Sequence, residues 1–345
     1  MNQENTVSAL IRAFEAFDEG MRRLNPIALS DIRKNLLVHL EPLASAREAL
    51  QTGDIGEKIP SELLRALDFL SGAIRIFANE EDLQAAYISA LRAARKFCRA
   101  QEALFPLCGI FPEVNRYFLE PGVASTGADV VGTKHVETGV IHMGASQHPH
   151  GRGGYSLFIP ETYSHDRAWP LVAALHGGYS HGRDFLWSWL PYARSRGFIV
   201  FAPTSQAMTW SITDVAVDER PLVRHLEEVC SLFRIDRLRM LLTGMSDGGT
   251  FALAIGLAGN GSYPAIAPVS SALPPVDWAK VKGKRIFWVH GAQDWIFPLK
   301  WTVASCRNLH QAGADIQLKA IDDLAHTYPR EANAEILDWF GIGRK

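Results

Sequence analysis

A surplus of charge of either sign is missing from this chain: 35 Lys and Arg stand against 37 Asp and Glu, a formal net charge of −2. No basic field exists to hold a phosphate backbone, which argues against nucleic acid as a partner. Cysteine is scarce too. Cys98, Cys108, Cys230 and Cys306 are too scattered for a disulfide framework or a zinc site, and Cys230 and Cys306 fall in helix-like segments and read as small buried residues. The opening MNQENTVSALIRAFEAFDEG has neither the basic start nor the apolar centre of a signal peptide. Long apolar runs are absent as well. The longest uncharged stretch, Gly248 to Val276, is interrupted by GNGSYP and by Pro268, Pro274 and Pro275, so it is not a membrane span. These absences predict a protein of the reducing cytoplasm. No internal repeat or low-complexity tract is present either.

What is there falls into two rhythms. Residues 1–110 read as helices, with apolar residues at helical spacing: Val7, Leu10, Ile11, Phe14 and Phe17; Leu36, Leu37, Leu40 and Leu43; Leu63, Leu64, Leu67, Leu70 and Ile74; Leu83, Tyr87, Leu91, Ala94 and Cys98. Breaks are expected at Asn25-Pro26, within QTGDIGEKIP and near Ala78-Asn79. Four amphipathic helices with no catalytic constellation suggest a bundle or a docked helical layer. The expectation is that they pack on the rest of the chain or join copies into a homo-oligomer.

In residues 111–345 short apolar strands alternate with helices. Strands are expected at 138–143, 154–160, 171–176, 198–203, 238–243, 265–269, 285–290 and 315–321, the first two as an antiparallel entry. Helices such as that of Leu222, Leu226, Val229, Cys230 and Phe233 lie between the later ones. Near-continuous apolar strands alternating with such helices imply an α/β architecture, a mostly parallel eight-stranded sheet covered on both faces.

The pattern carrying chemistry is G-x-S-x-G at 244–248, inside LLTGMSDGGTF. With Gly and Ser near 7% each, chance supplies about 0.1 copies in such a chain. The context is rarer: Ser246 follows a strand, LRMLLTG, and opens a helix of small residues, Ala252, Ala254, Gly256 and Ala258. That is a nucleophile elbow, in which flanking glycines relieve crowding and leave the serine projecting above the sheet. A serine hydroxyl barely ionises, so it needs a base, and the base needs an orienting acid. Both are found at later strand ends: Asp294 after RIFWVHGAQD and His326 after IQLKAIDDLAH. The order Ser, Asp, His is that of an α/β-hydrolase.

Rivals are weaker. Asp247 belongs to the elbow, where its backbone N–H matters more than its carboxylate. Asp322 and Asp323 sit too near His326 in the chain, and His290 is expected beneath the acid's loop. Upstream, LHGGYSHG closes the third strand, where a second oxyanion donor is placed. Gly178 N–H is the choice, with Tyr179 N–H its competitor; Asp247 N–H supplies the first donor. Among aromatic residues of neighbouring loops, Tyr179, Trp187, Trp210 and Trp295 are candidates to line an apolar substrate pocket, although packing in the core explains such residues equally. His148 and His150 in HPHGRGG have no carboxylate or cysteine at ligand spacing and read as a solvated loop, with neither metal nor cofactor expected.

On LHGG at 175–178, GMSDGG at 244–249, VHGAQDWIFP at 289–298 and AHTYP at 325–329, residues 130 to 340 resemble an α/β-hydrolase. They are most similar to the carboxylesterase and phospholipase group and to the polyhydroxyalkanoate-depolymerase and feruloyl-esterase-like group. Tyr179 stands where the lipase HGGG pattern has a third glycine, and the N-terminal helices fall outside the resemblance. It implies a serine hydrolase of small-molecule carboxylic esters acting through an acyl-enzyme. An oligopeptidase-type serine peptidase and a non-enzymatic binding protein on the same fold are the alternatives.

Overall fold

Pro42 explains how the first helices are divided. Five longer helices and a short one occupy the N-terminal part: α1 (Gln3–Arg22), α2 (Leu29–Leu37), α3 (Leu40–Thr52), α4 (Ser61–Ala78), α5 (Leu83–Leu104) and α6 (Pro112–Tyr117). The expected second helix is therefore two, because Pro42 lies in the first turn of α3, and its ring excludes a continuous helix past Val38. The computed structural model describes residues 3–52, 61–79, 83–123, 138–258 and 263–344. Most of the break expected at 51–60 lies outside them, as do the side chains of Leu83 and Tyr87. The chain forms two compact units, residues 1–127 and 128–345.

Within the first unit, Val7, Leu10, Phe14 and Phe17 of α1 are buried as their spacing requires, and Phe17 stacks on Phe97 at 4.3 Å. The fourth stripe is offset from expectation. The buried face of α5 runs through Ala90, Ala93, Phe97, Ala100 and Leu104; of the expected stripe Cys98 is buried, while Leu91 and Ala94 are half-exposed. Alanines carry that face because α5 lies close against α4, where a Cβ on Gly72 would meet the Lys96 side chain.

In the second unit the strands are β1 (Gly139–Met143), β2 (Tyr155–Ile159), β3 (Trp169–Leu175), β4 (Ile199–Pro203), β5 (Ile235–Met245), β6 (Ala265–Val269), β7 (Arg285–Gly291) and β8 (Asp315–Ile321). Their spatial order is β1-β2-β4-β3-β5-β6-β7-β8. β2 pairs antiparallel with β1 (Leu157 opposite Ile141) and with β4 (Leu157 opposite Phe201); every other pairing is parallel. Strands β2, β3, β4 and β6 are buried along their whole length, while the edge strand β8 alternates with exposed positions. A sheet covered on both faces requires this pattern.

The connecting helices are α7 (Gly182–Phe185), α8 (Leu190–Arg196), α9 (Ala216–Leu232), α10 (Asp247–Leu257), α11 (Leu299–Gln311) and, after β8, α12 (Ala332–Phe340). Between β6 and β7 only a short 3-10 turn at Trp278–Lys280 is present among the described residues, where a helix was expected. The chain leaves β3 toward β4 on one side and then crosses back to β5 on the other. Right-handed crossovers consequently place α8 and α9 on opposite faces. α12 joins α8: Arg196 donates to Asp338 and, at 2.8 Å, to the Ile342 carbonyl. This is the α/β-hydrolase fold. Its direction reverses between β3 and β5, and in open α/β sheets ligands bind at the carboxyl ends of strands beside such a reversal.

Candidate active site

Met245 ends β5 and Asp247 begins α10, so Ser246 must make the whole turn. Its backbone lies at φ 54°, ψ −122°, a region that residues with a side chain occupy only under strain. The turn is this tight because two backbones nearly touch. A Cβ on Gly244 would stand 2.5 Å from the Gly248 carbonyl carbon and oxygen, and one on Gly248 would collide with the carbonyl oxygens of Leu175 and His176. Ser246 N–H is anchored on the Val269 carbonyl of β6 at 2.9 Å.

The Ser246 hydroxyl donates to Nε2 of His326 at 3.0 Å, and His326 Nδ1–H donates to Oδ2 of Asp294 at 2.8 Å. His326 and Asp294 are buried (4% and 5% exposed). The three residues singled out from strand ends thus form one hydrogen-bonded series. Asp294 is held in turn by its own loop, with Oδ1 accepting the Ile296 and Phe297 N–H groups at 2.9 and 2.8 Å. Burial pushes its carboxyl up, but the His326 hydrogen bond and charge, the Phe297 N–H and His290 outweigh that and hold it below the usual carboxylate range.

His290 lies fully buried beneath this loop, as anticipated. It donates from Nε2 to the Phe297 carbonyl at 2.6 Å, and its Nδ1 accepts the Thr302 hydroxyl at 3.1 Å. Burial lowers its pKa, against the opposing pull of the Phe297 carbonyl and Asp294. A neutral imidazole therefore supports the acid. Gly291 went unnoticed in the sequence, although a Cβ there would clash with the Leu324 and Ala325 carbonyls. That glycine lets the acid's strand approach the loop carrying His326.

On the other side of Ser246 lies the turn after β3. A Cβ on Gly177 would be 3.6 Å from that of Ser246, and one on Gly178 would be 2.6 Å from Oδ2 of Asp247. Gly178 and Asp247 are therefore neighbours in space. Their backbone N–H groups have no hydrogen-bond partner among the described residues. Tyr179 differs: its N–H donates to the Met208 carbonyl at 2.8 Å, which removes it as the competing donor.

The aromatic candidates separate by burial. Trp210 is 3% exposed, donates from Nε1 to the His176 carbonyl at 2.8 Å and stacks on Phe251 at 5.0 Å. Trp187 is 1% exposed. Both are thus buried to the same degree as His326 and Asp294. Trp210 belongs to the hydrophobic core between helices and sheet. Tyr179 and Trp295 remain accessible, at 62% and 42%, and the Trp295 ring centre lies 6.5 Å from that of His326.

His148 and His150 are exposed, and among the described residues no cluster of three or more His, Cys, Asp or Glu could hold a metal ion. Cys306 is buried as expected, whereas Cys230 is half-exposed on α9. Among the same residues no helix is long and apolar enough to cross a membrane.

No protein-family model matches the chain, and no curated protein does. Solved structures do. A thermostable esterase is 21% identical over 56% of this chain, with a TM-score of 0.46; the match spans 59% of that chain. The apo form of esterase 2 from Thermogutta terrifontis is 15% identical over 56% of this chain and 92% of its own, with a TM-score of 0.45. Esterase PE8 is 18% identical over 53% of this chain and 97% of its own, also at 0.45.

Proposed function

We propose that residues 128–345 form a serine hydrolase that cleaves carboxylic esters of small molecules through an acyl-enzyme, with Ser246 as nucleophile, His326 as general base and acid, and Asp294 as the orienting acid. One observation carries the reading: a strained serine at a strand-to-helix turn donates to a histidine that donates to a buried carboxylate. Two unpartnered N–H groups beside it supply the remaining element.

In this mechanism the Ser246 oxygen attacks the ester carbonyl carbon as its proton passes to His326 Nε2. Negative charge moves onto the carbonyl oxygen, where the N–H groups of Gly178 and Asp247 receive it. Asp294 holds the imidazole in the tautomer that presents a bare Nε2 and stabilises the imidazolium that forms. Collapse of the tetrahedral intermediate breaks the ester C–O bond, and His326 returns its proton to the departing alcohol. Water then attacks the acyl-enzyme, giving its proton to His326, and a second collapse frees the acid and regenerates Ser246.

The test is labelling with a fluorophosphonate combined with turnover of p-nitrophenyl esters from acetate to palmitate. Ser246→Ala is expected to abolish labelling and lower kcat by about 10³-fold or more. Retention of more than about a tenth of wild-type turnover would exclude Ser246 as nucleophile, since losses at such residues are far larger. An aminoacyl anilide turned over faster than the esters would favour the peptidase instead.

A further inference from the structure

The two backbone donors assigned to the oxyanion belong to different elements. Gly178 lies on the turn after β3, and Asp247 is the first residue of α10. Oxyanion stabilisation depends on donors held in place before charge develops, so something must fix these turns against each other. The loop after β4 is what touches both.

Three consecutive residues of that loop each hold a different point. The Met208 carbonyl accepts the Tyr179 N–H at 2.8 Å, immobilising the peptide that follows Gly178. The Thr209 hydroxyl donates to Oδ2 of Asp247 at 2.5 Å, the oxygen that lies against Gly178. Trp210 donates to the His176 carbonyl at 2.8 Å, fixing the turn on its other side. The loop is itself clamped at both ends by one buried carboxylate. Asp218 of α9, 2% exposed, accepts the Gln206 N–H on Oδ1 and the Ser211 N–H on Oδ2, each at 2.7 Å. Ser205 N–H adds a bond to His176 Nε2 at 3.1 Å.

Two side-chain contacts join the loop to α10, the helix that carries the second donor: Trp210 stacks on Phe251, and the Thr209–Asp247 hydrogen bond is the one that reaches the donor residue itself. It also answers an electrostatic difficulty. A carboxylate against Gly178 opposes the charge an oxyanion brings, and a hydroxyl donating to it, with the N-terminus of α10, offsets part of that charge.

We propose that Thr209 is a positioning residue of the ester hydrolase reading given above. Its hydroxyl, acting through Asp247, holds the Gly178 and Asp247 N–H groups at the separation an oxyanion requires. Substrate binding does not use this bond, so its loss falls on the chemical step.

The experiment compares Thr209→Val, which keeps the shape and removes the donor, with Thr209→Ser, which keeps the donor. Rates are expressed per active site titrated with a fluorophosphonate, so that unfolded protein does not enter them. Thr209→Val is expected to lower kcat about 10- to 100-fold, below the ~10²–10³ for outright loss of an oxyanion donor, with KM within about threefold. Thr209→Ser should restore most of the rate. A boronic acid that forms an anionic tetrahedral adduct should weaken in Thr209→Val by the same factor as kcat, because both report transition-state stabilisation. If Thr209→Val does not fold, Thr209→Ala replaces it with the same expectations. The inference is overturned if the hydroxyl-free variant keeps kcat within about twofold, if its loss appears in KM alone, or if Thr209→Ser is equally impaired. Wild-type protein that neither labels nor turns over any ester refutes the hydrolase reading and this inference with it, whereas an active wild type indifferent to Thr209 refutes only the inference.

Discussion

Replacing Ser246 by glycine should make the protein more stable than replacing it by alanine, the reverse of the ordinary order. Both substitutions remove the hydroxyl and its 3.0 Å bond to His326, so that loss cancels in the comparison. What differs is the backbone. At φ 54°, ψ −122° a side chain is held in a sparsely populated region costing about 1–3 kcal/mol, which alanine retains and glycine does not. Glycine loses about 0.5–1 kcal/mol relative to alanine through greater freedom in the unfolded chain. The balance favours glycine by about 1 kcal/mol, or roughly 2–4 °C in Tm for a unit of this size. Thermal denaturation of the two purified variants, followed by near-ultraviolet circular dichroism, measures it. Ser246→Gly melting at or below Ser246→Ala would mean that the turn does not impose the conformation from which the nucleophile elbow was argued.

Two further outcomes follow from the acid and its surroundings. Asp294→Asn should lower kcat by about 10⁴-fold while the fold persists, because an amide there favours the wrong imidazole tautomer; retention of activity within tenfold in steady-state ester kinetics would refute the assignment. Stability should also fall in two pH windows, measured by denaturant unfolding from pH 8 to 3. Burial lowers the folded pKa of His290, so its contribution is complete above the unfolded value of about 6.5 and declines below it as the unfolded chain binds the proton first. His225, lowered mainly by burial, shares that window, so His290→Gln should shrink the step without removing it. The Asp294 pKa is also held low; its contribution is complete above about pH 4 and is lost as pH falls through the folded value. An upper step unchanged by His290→Gln would contradict the buried neutral imidazole.

Local physics made much of this legible. Every expected strand matches an observed one to within about three residues, because a strand buried on both faces must be a short apolar run bounded by turn residues. The helical stripes were less faithful. The α2–α3 junction was missed although Pro42 marks a helix start, and on α5 the expectation held at Cys98 but not at Leu91 and Ala94, because the alanines of the buried face carry little hydrophobic signal of their own. Trp187 and Trp210 show a different limit. A tryptophan in a loop near a strand end has the same sequence appearance whether it faces solvent or the core, and only the stacking of Trp210 on Phe251 decides it.

By itself the sequence determined the α/β order of elements, the elbow around Ser246 and the candidacy of Asp294 and His326, because each follows from local rules of strand, turn and helix. The tertiary structure decided what depends on approach between distant segments. It removed Tyr179 as a donor by giving its N–H to Met208, and it set the Asp247 carboxylate against Gly178. Such contacts arise from the crossing of β3, β4 and β5 at the reversal of the sheet, and no spacing along the chain encodes a distance across it.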